Sequence, residues 1–67
     1  MNNTIEQKKR NNYEFFYNTI KSLSYSQGFY GRLLNTLINM VEDERLKLIN
    51  NLPTFNDAVD VIMWLEQ

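Results

Sequence analysis

The sequence predicts an all-α domain, a compact bundle of three to four short helices. Apolar residues recur at helical spacing in four successive segments. No segment alternates with the period of two that marks a strand. The chain is also short, at 67 residues, and holds four Phe, four Tyr and one Trp but only one Ala. Its core must therefore come from large side chains, one way for a small chain to bury enough apolar area.

The first helix is expected from about Asn12 to Leu23. Tyr13, Phe16, Tyr17, Ile20 and Leu23 fall on one helical stripe. Thr4 and Gln7 fit a capping box that would start it earlier, while residues 1–11 are polar enough to fray. The run Ser22 to Ser26 interrupts the stripe, and Ser24 or Ser26 can cap a second helix reaching about Met40. That helix carries Phe29, Tyr30, Leu33, Leu34, Leu37, Ile38, Met40 and Val41 in one broad arc, so it is expected to be the central one. Glu42, Asp43 and Glu44 then complement the free amides at the start of a third helix. Its stripe is Leu46, Ile49 and Leu52, with Leu48 at the edge, and Pro53 forces the chain out of helical geometry. Thr54 is expected to cap a fourth helix, with Asp57 in the acidic place of a capping box and Phe55, Ala58, Val59, Ile62 and Leu65 as its stripe.

Composition excludes whole classes of chemistry. There is no Cys and no His, so there is no disulfide framework, no thiolate and no imidazole base or zinc ligand. No catalytic set, cofactor site or metal site is expected, and the protein is read as a non-enzyme. Asp57 and Asp60 share a face but lack further ligands. Glu42, Asp43 and Glu44 are read as helix-start electrostatics. No apolar run approaches the ~20 residues that cross a bilayer. The first residues lack a signal-peptide layout, so a cytoplasmic location and no membrane partner are expected.

The net charge of −1 conceals an asymmetry. Residues 1–34 balance at +3 and residues 35–67 at −4. Such a split can draw an unlike surface, including a second copy, so a homodimer is one expectation. The acidic half is a weak charge mimic at best. Direct nucleic-acid binding is disfavoured. Lys8, Lys9 and Arg10 form a short basic run, and a recognition helix carrying Asn56, Asp57, Asp60 and Trp64 would have no cation for phosphate.

The segment Ser26-Gln27-Gly28-Phe29-Tyr30-Gly31-Arg32-Leu33 is the most distinctive. A mid-helix Gly costs about 1 kcal/mol relative to Ala. One reading is that the glycines admit another helix or the Tyr25–Gln27 turn. The other is that Gly28, Arg32, Asn35 and Asn39 form a flat, donor-rich polar side suited to a carboxylate, a phosphate or a partner's backbone. Trp64 and Phe15 project off their stripes, as interface aromatics do, although a bundle can also bury them. The candidate partner-binding set is thus Arg32, Trp64, Asn35, Asn39, Phe15 and Gly28.

The pattern Ser26-Gln27-Gly28-Phe29-Tyr30-Gly31-Arg32-Leu33-Leu34, an acidic helix start, and then Phe55-x-Asp57-x-Val59-Asp60 through Leu65-Glu66 resembles a group of very short proteins. They are encoded by phages, prophages and conjugative elements of low-GC Gram-positive bacteria. The resemblance spans about residues 13–66, and Ala58 stands where the group carries Pro. It implies a context rather than a chemistry: occupation of a host protein's surface, most concretely inhibition of a CRISPR effector in the manner of an anti-CRISPR. The alternatives are a small dimeric DNA-binding regulator using Lys8–Arg10 and Arg32, and an adaptor that oligomerises through Phe15 and Trp64.

Overall fold

A computed structural model of the chain describes residues 4–67, with side chains from Ile5 onward. Among these residues the elements are α1 (Thr4–Ser24), α2 (Gly28–Asn39), α3 (Glu42–Asn51) and α4 (Ala58–Leu65), with no strand. The all-α bundle predicted from periodicity is the fold. α1 is continuous from Thr4, well before Asn12. The Thr4 hydroxyl of the expected capping box lies outside the described side chains, and Gln7 instead donates along the helix to Asn11 Oδ1 at 3.1 Å.

The central helix is α1, not α2. All three other helices pack against α1. Its predicted stripe faces inward: Phe16 and Ile20 are buried, and Tyr13, Tyr17 and Leu23 pack against them half-buried. Thr19 is buried beside the stripe, its hydroxyl donating to Phe15 O at 2.8 Å. A bare hydroxyl there would be costly, and the bond to the preceding turn removes that cost.

α2 uses less of its apolar arc than expected. Tyr30 and Leu37 are buried and Leu33 and Leu34 half-buried, while Phe29, Ile38 and Val41 are exposed. One neighbour on one side covers only a strip at i, i+3/i+4 and i+7. The serines do not cap α2. Its N-cap is Gln27, with no side-chain bond. Ser24 Oγ donates to Lys21 O (2.6 Å) and Ser26 Oγ to Leu23 O (3.3 Å), so both hydroxyls satisfy the free carbonyls that end α1.

α3 starts at Glu42 and ends just before Leu52, which is extended ahead of Pro53, as predicted. Its inner face is shifted. Leu48, Ile49 and Leu52 are half-buried and Leu46 is exposed. Half-buried Arg45 occupies the position one turn before Leu48 and Ile49.

The largest correction falls on α4. Thr54 is not its cap and Phe55 is not on it. Leu52 to Asp57 form a six-residue connection, longer than the turn of a helix-turn-helix. Asp57 is the N-cap, its Oδ1 accepting from Asp60 N at 3.1 Å, and Asp60 Oδ2 reaches back to accept from Asn56 N at 2.9 Å. These paired carboxylates hold the start of an eight-residue helix that could not stand alone. Val61 is fully buried, whereas Val59 is 58% exposed and Ala58 is also exposed. Apart from Asp60, α4 is apolar all round, so its periodicity could not select a face.

Trp64 is half-buried and packs against the core. Phe16 and Phe55 stack at 5.6 Å with planes 13° apart, and the Trp64 indole stands edge-on to both, at 5.8 and 6.0 Å. Phe55 enters this cluster from the extended connection. Asn12 holds that connection in place: its Nδ2 donates to Pro53 O (2.7 Å) and its Oδ1 accepts from Phe55 N (2.9 Å).

Candidate functional site

Gly28, Arg32, Asn35 and Asn39 lie along α2 at intervals of four, three and four residues, so they share one face. All four are exposed. None of the side-chain hydrogen bonds among the described residues engages the Arg32 guanidinium or the Asn35 and Asn39 amides. Only the Arg32 carbonyl is used, accepting from Thr36 Oγ1 at 3.2 Å. Together these side chains can donate bidentately through Arg32 and both donate and accept through two amides.

The glycines bear directly on this face. A Cβ built on Gly28 or Gly31 would meet nothing within 4 Å, and neither glycine has a positive φ. Among the described residues no helix and no turn approaches them closely, so the close-approach reading is overturned. Their backbone lies open beside Arg32.

The other two candidates are elsewhere. Trp64 is half-buried and packs against the core cluster, away from this face. Phe15 is exposed next to Thr54 and Phe55, along with Lys8 and Asn11. Sequence reasoning did not single out Tyr25 and Phe29, whose rings are both exposed at the start of α2. Phe29 meets Tyr30 edge-on at 5.3 Å. Tyr25 could have been noticed, since it belongs to no stripe. Phe29 was hidden in the apolar arc.

A second surface lies between α1 and α3, where Arg10, Tyr13 and Glu14 face Glu42, Arg45 and Leu46 across a shallow cleft. Burial pushes the Tyr13 hydroxyl above the ordinary tyrosine range, and the Arg45 cation partly offsets this. The neutral phenol is thus the form the fold prefers. Its contribution to stability is present below the unfolded value of about 10 and is lost as pH rises through the folded value. An ultraviolet absorbance titration should show one phenol ionising late, and Tyr13→Phe should remove that component. An unchanged profile in the variant would assign the late group elsewhere.

Among the described residues no group of three or more acidic side chains gathers as a cation would require. No described helix is long and apolar enough to cross a membrane. No family model, curated protein or solved structure matches the chain.

Proposed function

We propose that this chain is a non-catalytic binding protein that acts by occupying another protein's surface with the outward face of α2. The observation that carries the reading is the uncovered Gly28–Arg32–Asn35–Asn39 face. Gly31 costs the helix up to about 1 kcal/mol and Gly28, at its first position, less, and no contact among the described residues accounts for them. A partner backbone lying against the bare helix beside a free guanidinium would offset that cost. The exposed Tyr25 and Phe29 add the aromatic area typical of contact residues.

The motif resemblance gives this binding a direction: a phage or mobile-element product that blocks a host defence protein, most concretely a CRISPR effector. The test is direct binding to purified CRISPR effectors of low-GC Gram-positive hosts, with target cleavage as readout. Binding with loss of cleavage, and at least tenfold weaker binding by Arg32→Ala, is the expected result. Absence of binding to any effector, together with recovery of no defence protein from host lysate, would remove the reading.

The glycines allow a further check. Gly31→Ala should stabilise the free chain by up to about 1 kcal/mol, because the added methyl meets nothing. Gly28→Ala, at the first helical position, should change stability less while weakening the complex. Urea melts of the free variants measure the first effect. A destabilised Gly31→Ala would show that the backbone there is constrained by this chain after all.

A further inference from the structure

The outward face of α2 carries charge of one sign. Residues 15–41 contain Lys21 and Arg32 and no Asp or Glu. Arg32 is the only charged residue of α2. The helix that α2 packs on is α1, and the half of α1 from Phe15 to Ser24 brings only Lys21. Carboxylates come near α2 at its far end. Glu14 meets it at Ile38, together with Arg45. Glu42 and Arg45 line the α1–α3 cleft. Asp43 and Glu44 open α3 beyond Met40 and Val41, and α3 then runs toward Lys9, away from the α1–α2 turn. Arg32 stands two turns before Asn39, about 10 Å along the helix. That exceeds the screening length of ~8 Å at physiological salt. Asp57, Asp60 and Glu66 stand on or beside α4, which also packs on α1, and the first two accept backbone amides.

Apolar groups flank the polar row. In helical projection Phe29 lies on one side of it with Thr36, and Ile38 lies on the other beside Gly31. Phe29 and Ile38 are both more than half exposed. From Gly28 to Asn39 the row extends about 16 Å, and at Gly28 and Gly31 no side chain stands between the backbone and a neighbour.

We propose that the occupant of this face is an acidic amphipathic helix of the partner protein, with a carboxylate seated on the Arg32 guanidinium and aliphatic side chains over Phe29 and Ile38. The proposal rests on the reading of this face as the binding face and specifies what binds there. A guanidinium with no carboxylate near it pairs bidentately with one brought by the partner. A straight row between two apolar flanks is matched by a second helix packed ridge into groove, and the glycines supply the groove. Nucleic acid fits less well, since phosphate binding draws on several cations and this part of the chain has two.

Selection of a displayed library of amphipathic helical peptides, randomised at their polar positions, on the intact chain tests this. Peptides with Asp or Glu beside the apolar stripe should be enriched, and fluorescence anisotropy measures their affinity. Arg32→Glu should weaken binding at least tenfold, and Lys in place of the peptide carboxylates should restore binding to that variant. Lys47→Glu, exposed on α3, is the charge-matched control and should bind like wild type. Gly28→Leu, whose Cβ meets nothing, should block binding while helical circular dichroism is kept. A selection that enriches nothing, or only neutral or basic peptides, overturns the proposal, as does equal loss in Arg32→Glu and Lys47→Glu. If Gly28→Leu blocks binding and Arg32→Glu does not, the face stands and the acidic partner is overturned. If Gly28→Leu has no effect, the face itself is removed, and the proposed function with it. Duplex DNA or RNA bound by wild type and lost in Arg32→Glu, or self-association lost in Gly28→Leu, would give the face to those occupants and overturn the proposal.

Discussion

Phe16→Ala is expected to leave much of the population unfolded at room temperature. Typical stabilities of ~0.05–0.15 kcal/mol per residue put a chain of this length at about 3–10 kcal/mol. Truncating a buried Phe costs about 3–5 kcal/mol, and aromatic pairs add ~0.5–1.5 kcal/mol beyond area. Phe16 is nearly fully buried and joins two elements through its ring, Phe55 from the connection and Trp64 from α4. Its loss should release α4 along with the core contact. Urea melts followed by circular dichroism and by the fluorescence of the single Trp measure it. Phe15→Ala is the control, since its ring is exposed and its change should stay within about 0.5 kcal/mol. A loss below about 1 kcal/mol for Phe16→Ala would contradict the role given to the aromatic cluster.

The two neighbouring phenylalanines show what the sequence could convey. Period alone separated Phe16 from Phe15, because α1 is long, is bounded by polar residues and follows a single stripe. The acidic start of α3 and the break before Pro53 were legible for a similar reason: each is decided by local backbone chemistry. α4 was not legible. With apolar residues all round, eight residues long, it takes its face from its neighbours. The off-stripe reading of Trp64 has the same cause. Reading Phe55 as helical fixed the stripe through it, and only the fold shows that Phe55 arrives from an extended segment.

The candidate site divides along the same line. That Gly28, Arg32, Asn35 and Asn39 share a face follows from helical geometry, and the structure places them together. Whether the glycines were spacers for a neighbouring element depended on what lay across from them, which no local rule specifies. α2 as central helix failed on the same ground. Its arc is wide enough for two neighbours, and the fold supplies cover for one strip. Ile38, Val41 and Phe29 remain outside as a result, and an apolar arc wider than its cover is itself a reason to look for a partner.

Asn12→Ala is expected to cost about 1–3 kcal/mol, well above what a half-buried polar residue usually contributes. No apolar pattern identifies Asn12, yet its amide makes both polar contacts that hold the connection to α1. The donor on Nδ2 meets the Pro53 carbonyl and the acceptor Oδ1 meets the Phe55 amide. Removing both leaves a partly buried N–H without a partner beside the ring that enters the core. Asn12→Asp separates the two bonds. It keeps the acceptor for Phe55 and replaces the donor with an oxygen facing another oxygen. At neutral pH it should be at least as damaging as Asn12→Ala, because a carboxylate beside a carbonyl repels it. Protonation restores a donor, so the folded state should raise the pKa of the new carboxyl. The restored stability is then fully present below the unfolded value of about 3.9 and lost as pH rises through the folded one. Comparing each variant with wild type at every pH cancels the titration of the other carboxylates. Amide exchange gives an independent reading, since the Phe55 N–H should lose protection in Asn12→Ala and retain more of it in Asn12→Asp. If both variants melt within about 0.5 kcal/mol of wild type, the amide clamp does not hold the connection, and Phe55 must be kept in the core by its ring contacts alone.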